Sequence, residues 1–221
     1  QKYFEVLPAG NWEGKIILKE KAYPPEDVIN KLKSIRNTKN KPFFDNKVQL
    51  DLNCLWVSSL ILAHSVIPNK NFLEKAETHF NQIEIHFLKD EIYHSSSKNL
   101  VFLEDLAYTI NALIDLNEAT LNPKYKIKAI EMCKKTIDQF YIKEKKIFQK
   151  NKIKFNDLFV NPIDISDHTI PNGNSVMLQN LTRLGFKKES QELATSLNGY
   201  LNIYKSFMAS SLKSIDYFNT I

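Results

Sequence analysis

Cysteine is nearly absent from this 221-residue chain. Cys54 and Cys133 stand far apart and in no CxxC pair, so neither a zinc site nor a dithiol redox centre is expected. Both have apolar neighbours and read as core thiols. There is no apolar run of roughly eighteen residues, which excludes a membrane-spanning helix. The apolar stretch Leu55 to Ala63 ends at His64 and Pro68 and suits a buried helix. The opening QKYFEVLPAG lacks a basic segment followed by an apolar one, so no signal peptide is visible and a cytoplasmic location is expected. Because the first residue is Gln1, a trimmed or excised chain is expected.

Charge is abundant but not patterned. The net charge is +5, yet the lysines are scattered and interleaved with glutamate, as in KKES (Lys187 to Ser190) and IKEKK (Ile142 to Lys146). That is the pattern of solvated helix faces, and no nucleic-acid partner is expected. With 43% hydrophobic residues the chain can bury a substantial core, and residues 1–221 read as a single domain.

Helical periodicity dominates. Leu103, Leu106, Ala107, Ile110, Leu113 and Ile114 follow i, i+3, i+4, i+7 spacing and predict a helix with one broad apolar face. After a turn at Asn122-Pro123 the period resumes through Ile127, Ile130, Cys133, Ile137, Phe140 and Tyr141, completing an αα-hairpin. Leu50 to Ile67 and Asn71 to Leu88 repeat the plan around Pro68-Asn69. Ser175 to Leu184, Lys187 to Tyr200 and Lys205 to Phe218 predict further helices, with Gly185 separating the first two. Phe72 and Ala76 align with Tyr125 and Ala129, a weak internal repeat that points to an all-α toroid of helical hairpins rather than a thin superhelix. An ordinary helical bundle meets the same periodicity. IFQKNKIKFNDLFV (Ile147 to Val160) alternates enough to allow a short strand hairpin in a long connection.

Four blocks carry a resemblance: PAGNWEGKIIL (Pro8 to Leu18), KPFFDNKVQLDLNCLWVSSLILA (Lys41 to Ala63), FLEDLAYTINALIDLNEATLNPKY (Phe102 to Tyr125) and DHTIPNGNSVMLQNLTRLG (Asp167 to Gly185). In this order and spacing they resemble the spermatogenesis-associated protein 20 and YyaL-like family, whose members join a thioredoxin-like domain to an (α/α)6 toroid. The resemblance covers nearly all of this chain and the later part of the family's length. The thioredoxin-like part has no counterpart in these residues, and its redox chemistry does not transfer.

The resemblance implies a fold related to N-acylglucosamine 2-epimerases and six-hairpin glycosidases, with a sugar-sized funnel at one end of the inner helices. The family's DDK and DWNG stand here as Asp45-Asn46-Lys47 and Asp51-Leu52-Asn53-Cys54. The family's tryptophan is lost, and Trp56 lies one turn on. Its DDYA stands as Glu104-Asp105-Leu106-Ala107 with Tyr108 next, while Pro171, Gly173, Asn174 and Ser175 match.

Several of these residues could carry chemistry. Asp51 and Asn53 open an apolar helix, where an acid either stabilises the N-terminal dipole or faces a pocket. Adjacent Glu104 and Asp105 cannot point the same way, and Asp105 is the favoured general acid or base. A glycosidase needs a second carboxylate, from Asp51 or Asp167. An epimerase needs a base, for which His168 is the candidate. His79 and His86 are seven residues apart and miss HxxxH metal spacing, so no metal or cofactor is expected. His64 reads as a core residue and His94, beside a serine run, as solvated. NGNSV around Ser175 is not a nucleophile elbow. Asn172, Asn174 and Ser175 suit a helix start, with Gly173 allowing an unusual backbone angle. Asp167 and His168 are the part of this loop expected to be free to face a ligand. Asn53, Trp56, Glu104, Tyr108, Asn172, Asn174 and Ser175 complete the expected binding surface. Two functions fit: a funnel that binds or transforms a small carbohydrate, or a helical scaffold that docks a thioredoxin-like domain or the rest of a longer chain.

Overall fold

The computed structural model describes residues 2–67, 70–89, 91–97, 100–152 and 161–221. They form two compact units, Gln1–Asn46 and Lys47–Ile221. In the first, β1 (Phe4–Glu5) pairs antiparallel with β2 (Lys19–Glu20), and α1 (Glu26–Thr38) follows Pro24-Pro25. Proline supplies a fixed φ ahead of the first turn, and Glu26 and Asp27 lie at the positive end of the helix dipole.

The second unit is built of hairpins. Its helices are α2 (Leu50–Val66), α3 (Lys70–Phe87), α4 (Leu103–Thr120), α5 (Pro123–Phe140), α6 (Gly173–Leu184), α7 (Lys187–Tyr204) and α8 (Ala209–Thr220), the last entered through a 3-10 turn at Lys205–Met208. α2 packs on α4, α4 on α6 and α6 on α8, and each of α2, α4 and α6 also packs on the helix that follows it. The result is an inner row of α2, α4, α6 and α8 backed by an outer row of α3, α5 and α7.

Local chemistry sets the boundaries. α4 ends where Leu121 adopts a left-handed conformation (φ 56°), and Asn122 then caps α5 by accepting a hydrogen bond from Lys124 N at 3.2 Å. Gly185 (φ 80°) closes α6 in the same way, a position where a side chain would be strained. Along α4, Leu106, Ile110, Leu113 and Leu116 are all buried, so this inner helix is the spine of the core. The aligned Ala76 and Ala129 are both fully buried on the outer helices α3 and α5, where a small residue lets each pack closely on its neighbours.

The strand hairpin differs from the sequence expectation. β3 (Tyr141–Ile142) pairs with β4 (Ile147–Phe148) across a turn in which Lys146 has φ 55°, so the pairing runs back to the end of α5. Residues 153–160 of the expected hairpin lie outside the described residues.

Candidate functional site

The starts of the inner helices gather at one end of the second unit. Gly173, the first residue of α6, sits so close to α4 that an added Cβ would lie 2.9 Å from Leu103 Cδ2 and 3.2 Å from Glu104 Oε1. Gly173 is absent from the positive-φ residues, so the glycine serves close approach of two helix starts and not an unusual backbone angle. Asp167 joins α6 to α8: one carboxylate oxygen accepts from Asn172 N (3.1 Å) and Asn172 Nδ2 (3.0 Å), the other from Ser210 N (2.7 Å). Asp167 is therefore occupied in holding the loop, contrary to its expected freedom to face a ligand. His168 beside it is 75% exposed, with Nε2 3.8 Å from Asp164 Oδ2.

The polar residues of the IPNGNS block are structural. Asn172 Oδ1 accepts from Ser175 N at 3.0 Å as the N-cap of α6, and Ser175 Oγ donates back to Asn172 O at 2.8 Å. Buried Asn174 accepts from Phe148 N at 2.9 Å and donates to Phe148 O and Asp164 O at 3.0 and 2.9 Å. Tyr108 donates its hydroxyl to Pro171 O at 2.9 Å, tying α4 to the same loop. Burial first, then the charges of Asp51, Glu104 and Asp167, hold the Tyr108 hydroxyl above its ordinary pKa. One phenol thus lies in the field of acids from α2, α4 and the loop before α6.

Two groups of ionisable side chains occupy this end. In the first, Lys150 Nζ lies 3.5 Å from Asp164 Oδ2, and both residues border Glu104. Backbone bonds place them: Leu103 N donates to Lys150 O (2.9 Å) and Lys150 N to Pro162 O (2.8 Å). Glu104 Oε2 is buried without a hydrogen-bond partner among the described residues, and burial raises the pKa of the carboxyl. The second group is Asp51, His94 and Asp105. Asp105 is fully buried; it accepts from Phe102 N at 2.8 Å and lies 2.9 Å from His94 Nδ1 through Oδ1. Desolvation pushes its carboxyl up to about 6, with the Asp51 charge acting the same way and Phe102 and His94 opposing. His94 is not solvated as the sequence suggested. Its side chain is 19% exposed, because Leu50 N donates to His94 O at 2.8 Å and draws the loop onto the start of α2.

Asn53 and Trp56 point elsewhere. Asn53 Oδ1 meets His79 Nε2 of α3 at 2.9 Å, and the 56% exposed Trp56 lines a groove with Glu74, Lys75, Thr78 and His79. A cleft of about 190 Å³ opens between α4, α6 and α8, lined by Tyr108, Asn111, Pro171, Val176, Gln179 and Lys213 among others. A larger cavity of about 600 Å³ lies between α5 and residues 88–89, 91–93 and 100–101, with Leu106 of α4 in its wall. Its Lys128 is paired with Glu84, and Glu91 and Glu131 are the carboxylates in its wall.

No known family profile and no curated protein sequence matches the chain. Solved structures do. A family 76 glycoside hydrolase (mannosidase) from Bacteroides thetaiotaomicron VPI-5482 superposes with TM-score 0.59 at 12% identity, over 79% of this chain and 56% of its own. A family 76 α-mannanase from Bacteroides thetaiotaomicron superposes with TM-score 0.62 at 17% identity, over 99% of this chain and 59% of its own. A cellobiose 2-epimerase from Bacillus thermoamylovorans gives TM-score 0.52 at 16% identity, over 73% of this chain and 45% of its own. The fold is that of the α/α toroids. This chain spans less than two thirds of the length of these neighbours.

The toroid places in context what sequence reasoning missed. Asp164 and Lys150 join Glu104 only through the backbone pairing that folds residues 150–164 over the start of α4, and His94 reaches Asp105 only through the loop that α2 captures. Asp164 opens the DISDHTIPNGNS stretch, so its presence among acids and a histidine was the available signal. His94 carried none.

Proposed function

We propose that the second unit is a carbohydrate-binding, sugar-active part of an α/α toroid of the YyaL-like kind, with its ligand at the starts of α4 and α6. One observation carries the reading: Glu104 Oε2 is buried and has no hydrogen-bond partner among the described residues, where the starts of α4 and α6 meet. An unsatisfied buried carboxyl oxygen is costly unless something else engages it. Burial raises its pKa, the direction that favours a carboxyl as general acid toward a sugar oxygen. Asp164, 20% exposed, offers a carboxylate for sugar hydroxyls, with Lys150 and His168 beside it. The superposing proteins are a mannosidase, a mannanase and a cellobiose 2-epimerase, which supports a carbohydrate as the ligand class.

The test is thermal unfolding and calorimetry with manno-oligosaccharides and cellobiose. A ligand at 100 times its Kd stabilises the native state by about 2.7 kcal/mol, a melting shift easily read. Glu104→Gln is expected to fold normally and lose catalytic turnover of any sugar that binds, while Lys150→Met weakens binding. Absence of a shift with every sugar would sink the proposal.

A second reading rests on a different observation. Leu52, Trp56, Leu62 and Val66 form an exposed apolar stripe along α2. A scaffold that docks a thioredoxin-like domain or further chain would use such a stripe. Loss of docking on Trp56→Glu, with no sugar response, favours that reading over the funnel.

A further inference from the structure

The group formed by Asp51, His94 and Asp105 takes no part in the chemistry proposed for Glu104. Each of the three offers a ligand atom, and these atoms lie within 4.8 Å of one another. Atoms so spaced lie within about 2.8 Å of a common centre, close to the roughly 2.0–2.2 Å of zinc–nitrogen and zinc–oxygen bonds. The residues come from separate elements: Asp51 from the first turn of α2, His94 from the captured loop, Asp105 from the first turn of α4. No recognisable metal spacing arises in the sequence for that reason.

Their environment is incomplete without a cation. Asp51 is 8% exposed and Asp105 fully buried, and among the described residues neither forms an ion pair with a lysine or arginine. Two buried carboxylates lie side by side, and the basic group paired with Asp105 among the described residues is the His94 imidazole, a costly arrangement. Asp51 accepts a hydrogen bond from Leu52 N to Oδ1 at 2.8 Å, and its residue is almost fully buried.

We propose that Asp51, His94 and Asp105 bind one divalent transition-metal ion, of the class of Zn2+ or Mn2+ that accepts imidazole and carboxylate together. The ion takes the place of the proton between His94 Nδ1 and Asp105 Oδ1; Nδ1 gives that proton to solvent and Nε2 takes one up from solvent, so the imidazole changes tautomer and stays neutral. Asp105 keeps its Oδ2 bond from Phe102 N, which fixes the carboxylate's orientation. His94 then carries its hydrogen on Nε2, 3.1 Å from the Gln49 side-chain amide, whose oxygen accepts it once the amide turns over. Three protein ligands leave a fourth position open to water or a substrate oxygen. The site pins α2, α4 and the loop together at the toroid's polar end, and it stands whether or not sugar binds there.

The experiment uses the full chain stripped with EDTA and titrated with ZnCl2 and MnCl2 by calorimetry, with thermal unfolding and elemental analysis after dialysis. One equivalent is expected, with a raised melting temperature. Asp51→Asn and His94→Gln each lower the affinity at least tenfold, and Gln49→Leu lowers it by about tenfold through the imidazole's lost orientation. Far-UV circular dichroism of each metal-free variant checks that it folds, and His168→Gln, on an exposed histidine, leaves binding unchanged. Cobalt(II) substitution adds visible bands sensitive to the imidazole, present in the wild type and altered in His94→Gln. Absence of binding by either metal, or equal affinity in the wild type and both ligand variants, overturns the proposal.

Discussion

At the scale of single residues, burial decides which side chains are available for chemistry. Cys54 and Cys133 are fully buried, and desolvation pushes each thiol up to about 12, so neither presents thiolate near neutral pH. The native chain at pH 8 is expected to release no thiolate to Ellman's reagent over minutes, and two per chain in guanidinium. Fast labelling of either cysteine in the native state would contradict the burial. Asp167 and His168 illustrate the same rule among polar residues. They are neighbours in sequence, yet one is spent on three hydrogen bonds and the other is largely exposed.

At the scale of elements, the junction before α6 is held by amides and not by apolar packing. Asn174 closes three hydrogen bonds that join β4, the Asp164 segment and the first turn of α6. Asn174→Ala leaves Phe148 N and two carbonyls unpaired in the interior, and by the usual cost of such groups it is expected to destabilise by about 2–4 kcal/mol. His168→Ala, at an exposed side chain, is expected to change stability by less than about 0.5 kcal/mol. Chemical denaturation of both variants checks the contrast. Equal stability would mean that the Asn174 bonds are not made. Helix existence was legible here, because α3 to α8 follow apolar periods along the sequence and α2 is a mostly apolar run of helical length. The role of Gly173 was not, since close approach to Leu103 depends on how two helices pack and leaves no mark in either one alone.

At the scale of the whole molecule, the inner row is the structural core against which the outer helices pack. Leu113 lies on the buried spine of α4. Leu113→Ala is expected to cost about 2–5 kcal/mol and to lower the stability of the whole second unit, because inner-row packing links each hairpin to the next. Coincident loss of far-UV and near-UV signals in denaturant measures this. Separate transitions for neighbouring hairpins would show that they fold independently.

The amino-acid sequence by itself determined the helices, their order and the hairpin plan, since apolar period, caps and prolines act over a few residues. It also marked Asp51, Glu104, Asp105 and the IPNGNS block as belonging to helix starts. Only the tertiary structure decided which of them meet. His94 joins Asp51 and Asp105, and Lys150 and Asp164 border Glu104, through loop captures that cross tens of residues. Those encounters depend on the stacking of inner helices in one direction, and stacking is set by packing between elements rather than by a local pattern.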